Sequence, residues 1–227
     1  MELNFLDRLA RSTSRRTFLQ WSGVTVGVMA LGCSDDSGSG VGPPSGAVDL
    51  GTGDTGVLNY AYALEQLEAA FYTQVLAGAY FSGAAAAEQS ILTDIRNHEV
   101  IHRDFLKAAL GTGAIADLEV SFTSVNFADR ASVLGAARAF EDLGVAAYNG
   151  AGKLLTTPDY LVVAGKIVSV EARHAAAIRD LLQPASFAAS DVVNASGLDQ
   201  AKPPSEVLAA ADVYITTEVT ANNLPTT

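Results

Sequence analysis

From residue 54 onward, apolar side chains recur at steps of three and four, the period of a helix with one buried face. The first such stretch, 54–78, carries Leu58, Tyr62, Glu65, Ala69, Tyr72 and Leu76 on one stripe, and Asp54 or Thr55 can cap it. A second runs over 82–110 and stops at Gly111, a residue suited to a helix C-terminus. A third covers 129–155. A fourth covers 158–183, opening on Pro158, which fits a first-turn position, and closing before Pro184. Each is roughly 25 residues, hence about 37 Å at 1.5 Å per residue. Four long helices of matched length predict an all-α bundle.

The connections sharpen this expectation. Helices one and two, and helices three and four, are joined by short links, which makes each pair an antiparallel hairpin. Between the pairs lies a longer segment, "GTGAIADLEVSFTSVNFA", whose alternation at Leu118, Val120 and Phe122 predicts an extended strap along the bundle. Beyond Pro184 the clean period is lost. The stretch "PPSEVLAAADVYI" predicts a short helix starting near Ser205, and "TTEVTANNLPTT" a frayed or edge-hugging tail. Residues 184–227 therefore read as a C-terminal extension with no recognisable chemistry.

Polar residues interrupt the buried stripes in a repeated way. On the second helix Ile95, Glu99, His102 and Leu106 follow steps of four, three and four; on the fourth, Ile167, Glu171, His174 and Ile178 repeat that rhythm. Both Glu-x-x-His pairs thus point inward among aliphatic neighbours. The chain has three His in all, so the coincidence is hard to assign to chance. On the first helix Leu58, Glu65 and Tyr72 are spaced by sevens, and on the third Leu134, Glu141, Tyr148 and Leu155 are too. Seven residues are two turns, so each set shares a face. The pattern is a duplication: Glu-x6-Tyr, then Glu-x-x-His, twice. Antiparallel pairing can bring four carboxylates and two imidazoles to one level.

An inward carboxylate is costly unless it is paired or bound to a cation. Two divalent transition metals would balance four carboxylates, and imidazole suits such ions. The bland alternative is a network of buried Glu–His hydrogen bonds without metal, and Tyr72 and Tyr148 can equally be read as aromatic core. His98 points off the ligand stripe and reads as a surface or supporting residue. Glu68 lies one turn beyond Glu65, but its repeat equivalent is Gly144, which favours a peripheral role.

Residues 54–183, with a first helix of the type "LEQLEAAFY", resemble the ferritin-like superfamily, and in particular exported bacterial ferritin-like domain proteins. The resemblance implies a ferritin-like four-helix bundle with a long crossover between helices 2 and 3. It implies Glu65, Glu99, His102, Glu141, Glu171 and His174 as ligands of two iron or manganese ions, with Tyr72 and Tyr148 hydrogen-bonding to buried carboxylates behind them. It also implies an oxidoreductase acting on oxygen, peroxide or ferrous iron, ferroxidase- or peroxidase-like. A non-catalytic metal-binding or envelope stress-protection protein would use the same six ligands. The chain departs from some relatives in having no Cys pairs for electron delivery and no obvious extra helix of the kind that helps ferritins close into shells.

Composition adds limits. A net charge of −11 argues against a nucleic-acid partner. A single Cys excludes an intramolecular disulfide and a thiolate zinc site. Near the N-terminus, "STSRRTFLQWSGVTVGVMALGC" pairs Arg15 and Arg16 ahead of Phe18-Leu19 and an apolar run too short to span a bilayer comfortably. It resembles a bacterial twin-arginine signal, which implies the twin-arginine export machinery as a partner and a periplasmic or envelope location for the folded protein. Cys33 ends that segment as a lipidated cysteine would, though Ala30 replaces the usual larger aliphatic residue. Lipidation, the one expected membrane link, and ordinary cleavage nearby both remain open. Residues 1–33 are thus expected to be a signal and 34–53 a flexible linker. The bundle then occupies 54–183.

Overall fold

A computed structural model describes residues 46–226. The elements, in order, are strand β1 (Val48–Asp49) and helices α1 (Gly53–Ala77), α2 (Ala79–Gly83) and α3 (Ala86–Leu110). Then come α4 (Arg130–Ala151), α5 (Pro158–Leu182), α6 (Pro204–Ala211) and strand β2 (Val219–Thr220). Helices α1 and α3 pack closely along their length, as do α4 and α5, and residues 111–129 cross from one pair to the other. This is an all-α bundle whose long connection joins its second and third long helices. Among the described residues, no helix is long and apolar enough to cross a membrane.

Helix α1 is apolar nearly all round, and it is buried on nearly every side. Its outer face is covered by the crossover and the C-terminal extension. Asn59 ties the crossover to the segment before α1: its Nδ2 donates to the carbonyls of Leu50 and Gly113 at 3.0 and 2.9 Å, and its Oδ1 accepts from Ile115 N. Gln66 accepts from Leu118 N at 2.7 Å. The crossover is extended but forms no named strand; Val120 makes one bridge to Ile215, and Phe122 buries its ring against Phe71 and Phe140. Phe140 in turn meets Tyr214 edge-on at 4.7 Å, so the extension completes an aromatic cluster.

Several expectations need correction. Thr52, not Asp54 or Thr55, is the N-cap of α1, with no side-chain hydrogen bond. Asp54 instead accepts from Thr156 N and Thr157 N at 2.7 and 2.9 Å, pinning the entry to α5. The second helix does not run unbroken from 82. The chain makes the short turn α2, becomes extended at Ala84 and Ala85, and restarts at Ala86. Gln89 satisfies the carbonyls this break frees, donating to Phe81 O and Ala84 O. Residues 48–50, expected within a flexible linker, are folded: β1 pairs in parallel with β2, and Leu50 is fully buried. The expected signal, Cys33 and residues 34–45 lie outside the described residues.

The extension is fastened to α4 and α5. Arg179, only 3 % exposed, donates to both oxygens of Asp142 at 2.7 Å and to Asp191 in the extension at 2.9 and 3.1 Å. Further on, Lys202 N donates to Ala146 O, placing the chain directly over Gly150, where a Cβ would collide with the Lys202 carbonyl. Gly135, on the same helix, has open space at its Cβ position. Gly150→Ala should therefore cost about 2 kcal/mol through overpacking. That corresponds to a melting temperature lower by roughly 4–8 °C. Gly135→Ala should raise stability by about 0.5–1 kcal/mol, because Ala restricts the unfolded chain and favours the helix. Thermal and urea unfolding of the two variants checks both signs.

Candidate metal centre

Each of the four long helices contributes to one buried polar level. Helix α1 supplies Glu65 and Tyr72, α3 supplies Glu99 and His102, α4 supplies Glu141 and Tyr148, and α5 supplies Glu171 and His174. All four carboxylates are fully buried, while His102 and His174 are 9 % and 5 % exposed. The heptad steps on α1 and α4 and the i, i+3 steps on α3 and α5 converge because both hairpins are antiparallel about the same level.

The geometry is that of two overlapping ligand sets. Glu65, Glu99, His102 and Glu171 bring one ligand atom each to within 4.8 Å of one another, and Glu99, Glu141, Glu171 and His174 do the same. Glu99 and Glu171 belong to both sets. His102 Nδ1 lies 2.8 Å from Glu171 and 3.5 Å from Glu65; His174 Nδ1 lies 2.8 Å from Glu99 and 3.5 Å from Glu141. Short as these contacts are, their angles are not those of hydrogen bonds. Both Nδ1 atoms, both oxygens of Glu99 and Glu171, and Oε2 of Glu65 and Glu141 are buried without a hydrogen-bond partner. Eight potential ligand atoms thus lie buried in two overlapping groups, which fits bound cations better than a closed hydrogen-bond network.

The outward oxygens are held by the tyrosines in a crossed fashion. Tyr72 on α1 donates to Glu141 Oε1 on α4, and Tyr148 on α4 donates to Glu65 Oε1 on α1, both at 2.5 Å. Each tyrosine fixes the carboxylate of the other half-repeat, leaving the second oxygen free to face the centre. These bonds lock the two hairpins in register.

Burial dominates the electrostatics. It pushes the Glu99 carboxyl well above its usual range, with nearby Glu171 adding to the effect, and it lifts Glu141 to about 7 against the pull of His174 and Tyr72. Glu171 behaves oppositely: burial is outweighed by His102 and His174, and its carboxyl is held below the usual value. Burial works against a charged ring at His102 and His174 as well, but the surrounding carboxylates push both up to about 12.

Two residues that spacing placed outside the centre lie against it. Glu68 is 4 % exposed, and burial followed by the charges of Glu99, Glu171, Glu141 and Glu65 holds its carboxyl well above the usual range. A Cβ on Gly144 would come within 3.0 Å of Glu68 Oε1. The missing side chain at the repeat-equivalent position, read as evidence for a peripheral Glu68, is what makes room for it. His98 is exposed, yet its Nδ1 lies 2.9 Å from His174 Nε2. The i+3 step from Glu65 was a signal for Glu68; only the rarity of His in the chain pointed to His98.

Protons should therefore govern the metal-free fold. Glu141 and both histidines have folded values raised above their unfolded ones of 4.5 and 6.5, so the folded chain binds more protons between those limits. The Glu141 contribution is lost as pH rises from 4.5 to about 7, and the histidine contribution from 6.5 upward toward about 12. Glu171, being lowered, acts only on the acid side. Chelator-treated protein should melt at progressively lower temperature as pH rises from about 5 to about 9. Added ferrous or manganous ion should reverse that slope, since ligands must be deprotonated to bind. Thermal unfolding across this range, with and without metal, gives both slopes.

Among curated proteins, none matches the chain. A family model described as a ferritin-like domain matches residues 53–184. That span is more than half of the 227 residues and contains all four long helices and every residue of the cluster. With this match and the crossed bundle around a Glu–His level, the chain belongs to the ferritin-like domain family.

Proposed function

We propose that the protein is a di-metal carboxylate protein that binds two iron or manganese ions and reacts with oxygen, peroxide or ferrous iron. The observation that carries this reading is the set of eight buried, unpartnered ligand atoms arranged as two groups sharing Glu99 and Glu171. In this reading Glu65 and His102 serve one ion, Glu141 and His174 the other, and Glu99 and Glu171 reach both. Two such ions, when bound in their reduced state, would each supply one electron to a small oxidant.

The chain's own residues limit what can react. Six ligands leave few open positions, and Glu68 fills the space at Gly144. Such close packing suits a diatomic or peroxide-sized reactant and leaves little room for an organic substrate. Tyr72 and Tyr148 hold the terminal carboxylates in place during turnover. The location proposed for this chemistry is the cell envelope, reached by the twin-arginine route through residues 1–33, with lipid attachment at Cys33 and ordinary cleavage nearby as the two alternatives for the end of that segment.

Anaerobic ferrous titration of the full chain should saturate at two ions, and the double variant Glu99→Gln, Glu171→Gln should lose both. Failure of the wild type to bind ferrous or manganous ion sinks the reading. On mixing the loaded protein with oxygen or peroxide, its optical spectrum should change faster than that of free ferrous iron. Two bound ions that oxidise no faster would favour the storage or protective role, which the lack of Cys pairs for electron delivery also suits. Changing Arg15 and Arg16 together to lysine should block export in the native host; normal export of that variant overturns the twin-arginine route.

A further inference from the structure

The internal repeat is broken at one place beside the centre. His174 turns Nδ1 inward, toward Glu99 and Glu141, and its Nε2 meets His98 Nδ1 at 2.9 Å. The two rings are within 8° of parallel with centroids 5.1 Å apart. That is close to the largest centroid separation a 2.9 Å contact between ring nitrogens allows, so the rings lie edge to edge in a shared plane rather than face to face. This is the geometry of an in-line hydrogen bond. His102 has no such partner among the described residues. The position on α5 that corresponds to His98 is four residues before His174, and it is Val170.

We propose that His98 is a positioning residue that sets the tautomer and orientation of His174 and thereby makes the two metal positions unequal. This rests on the di-metal reading above. A neutral imidazole carries one proton; with Nδ1 committed to a cation, that proton sits on Nε2 and is donated to His98 Nδ1. The acceptor fixes the ring plane and makes Nδ1 a stronger donor toward the ion, as outer partners of ligating histidines do. The position served by Glu141 and His174 is therefore the tighter of the two. The one served by Glu65 and His102 lacks this support and is the first to release its ion. Because His98 is itself exposed, it also places a side chain open to solvent one hydrogen bond from the ligand.

The test is anaerobic cobalt(II) titration of the full-length protein, followed by the visible absorption of the bound ion. Wild-type protein should bind two ions in resolved steps. In His98→Ala the tighter step should weaken by about 10–100-fold while the weaker one is unchanged. His98→Asn should recover most of that loss, because its side-chain oxygen takes the place of the Nδ1 acceptor. Val170→His should strengthen the weaker step by giving His102 the same partner. Equal binding of the two ions by wild type, unchanged steps in His98→Ala, or equal weakening of both steps overturns the inference. So does an Asn variant no better than Ala. Wild-type protein that takes up no cobalt, iron or manganese fails earlier and removes the di-metal reading itself.

Discussion

Four carboxylates buried at one level, with their lone pairs turned toward each other, set the central constraint on this molecule. Each would cost several kcal/mol if left charged and alone in an apolar interior. The fold answers only half of that cost. Tyr72 and Tyr148 satisfy one oxygen each of Glu141 and Glu65, while His102 and His174 sit close enough to lower the charge density without closing the network. The remaining demand is for positive charge at two points, and it explains why a strongly acidic protein keeps so polar a level inside its core.

The crossed tyrosines show how an internal repeat becomes a single site. If each hairpin held its own carboxylate, the two halves could slide or separate without disturbing either. Because the hydroxyl of one half holds the carboxylate of the other, the terminal ligands are correctly placed only when α1 and α4 are in register. The repeat is nonetheless imperfect in two places. Glu68 occupies the space that Gly144 leaves, and His98 touches His174 where Val170 offers nothing to His102. Both departures lie against the centre, one on the α1–α4 side and the other on the α3–α5 side.

Much of this was legible in the sequence because helical periodicity fixes which residues share a face. Four helices, the crossover and the inward direction of the Glu-x-x-His pairs follow from steps of three, four and seven. What escaped was whatever depends on packing between segments distant in the chain. The parallel pairing of Val48–Asp49 with Val219–Thr220 joins two short stretches with no pattern of their own. Asp54 looks like a cap for its own helix, yet the α5 entry lies within its reach and takes both oxygens. A glycine opposite Glu68 reads as absence of function in one dimension and as a cradle in three.

The same pair of helices also shows what this chain does with a buried charge that has only a structural role. Asp142 follows Glu141 directly, and Arg179 lies five residues beyond His174. Arg179 is as little exposed as His102 and His174, but all its side-chain partners are protein carboxylates: two bonds to Asp142 and two to Asp191. Nothing in that network is left unpartnered, and its product is attachment of the extension to the bundle. One turn away, Glu141, Glu171 and His174 are enclosed more completely than Asp142 and Asp191, and among the described residues no arginine or lysine forms an ion pair with them. The chain supplies a permanent counter-charge at the edge of this level, against partly exposed carboxylates, where only rigidity is needed. At the neighbouring level the cationic partners are the imidazoles of His102 and His174. Unlike a guanidinium they can give up their protons and so leave the inward oxygens and nitrogens available, the condition a cation-binding centre requires.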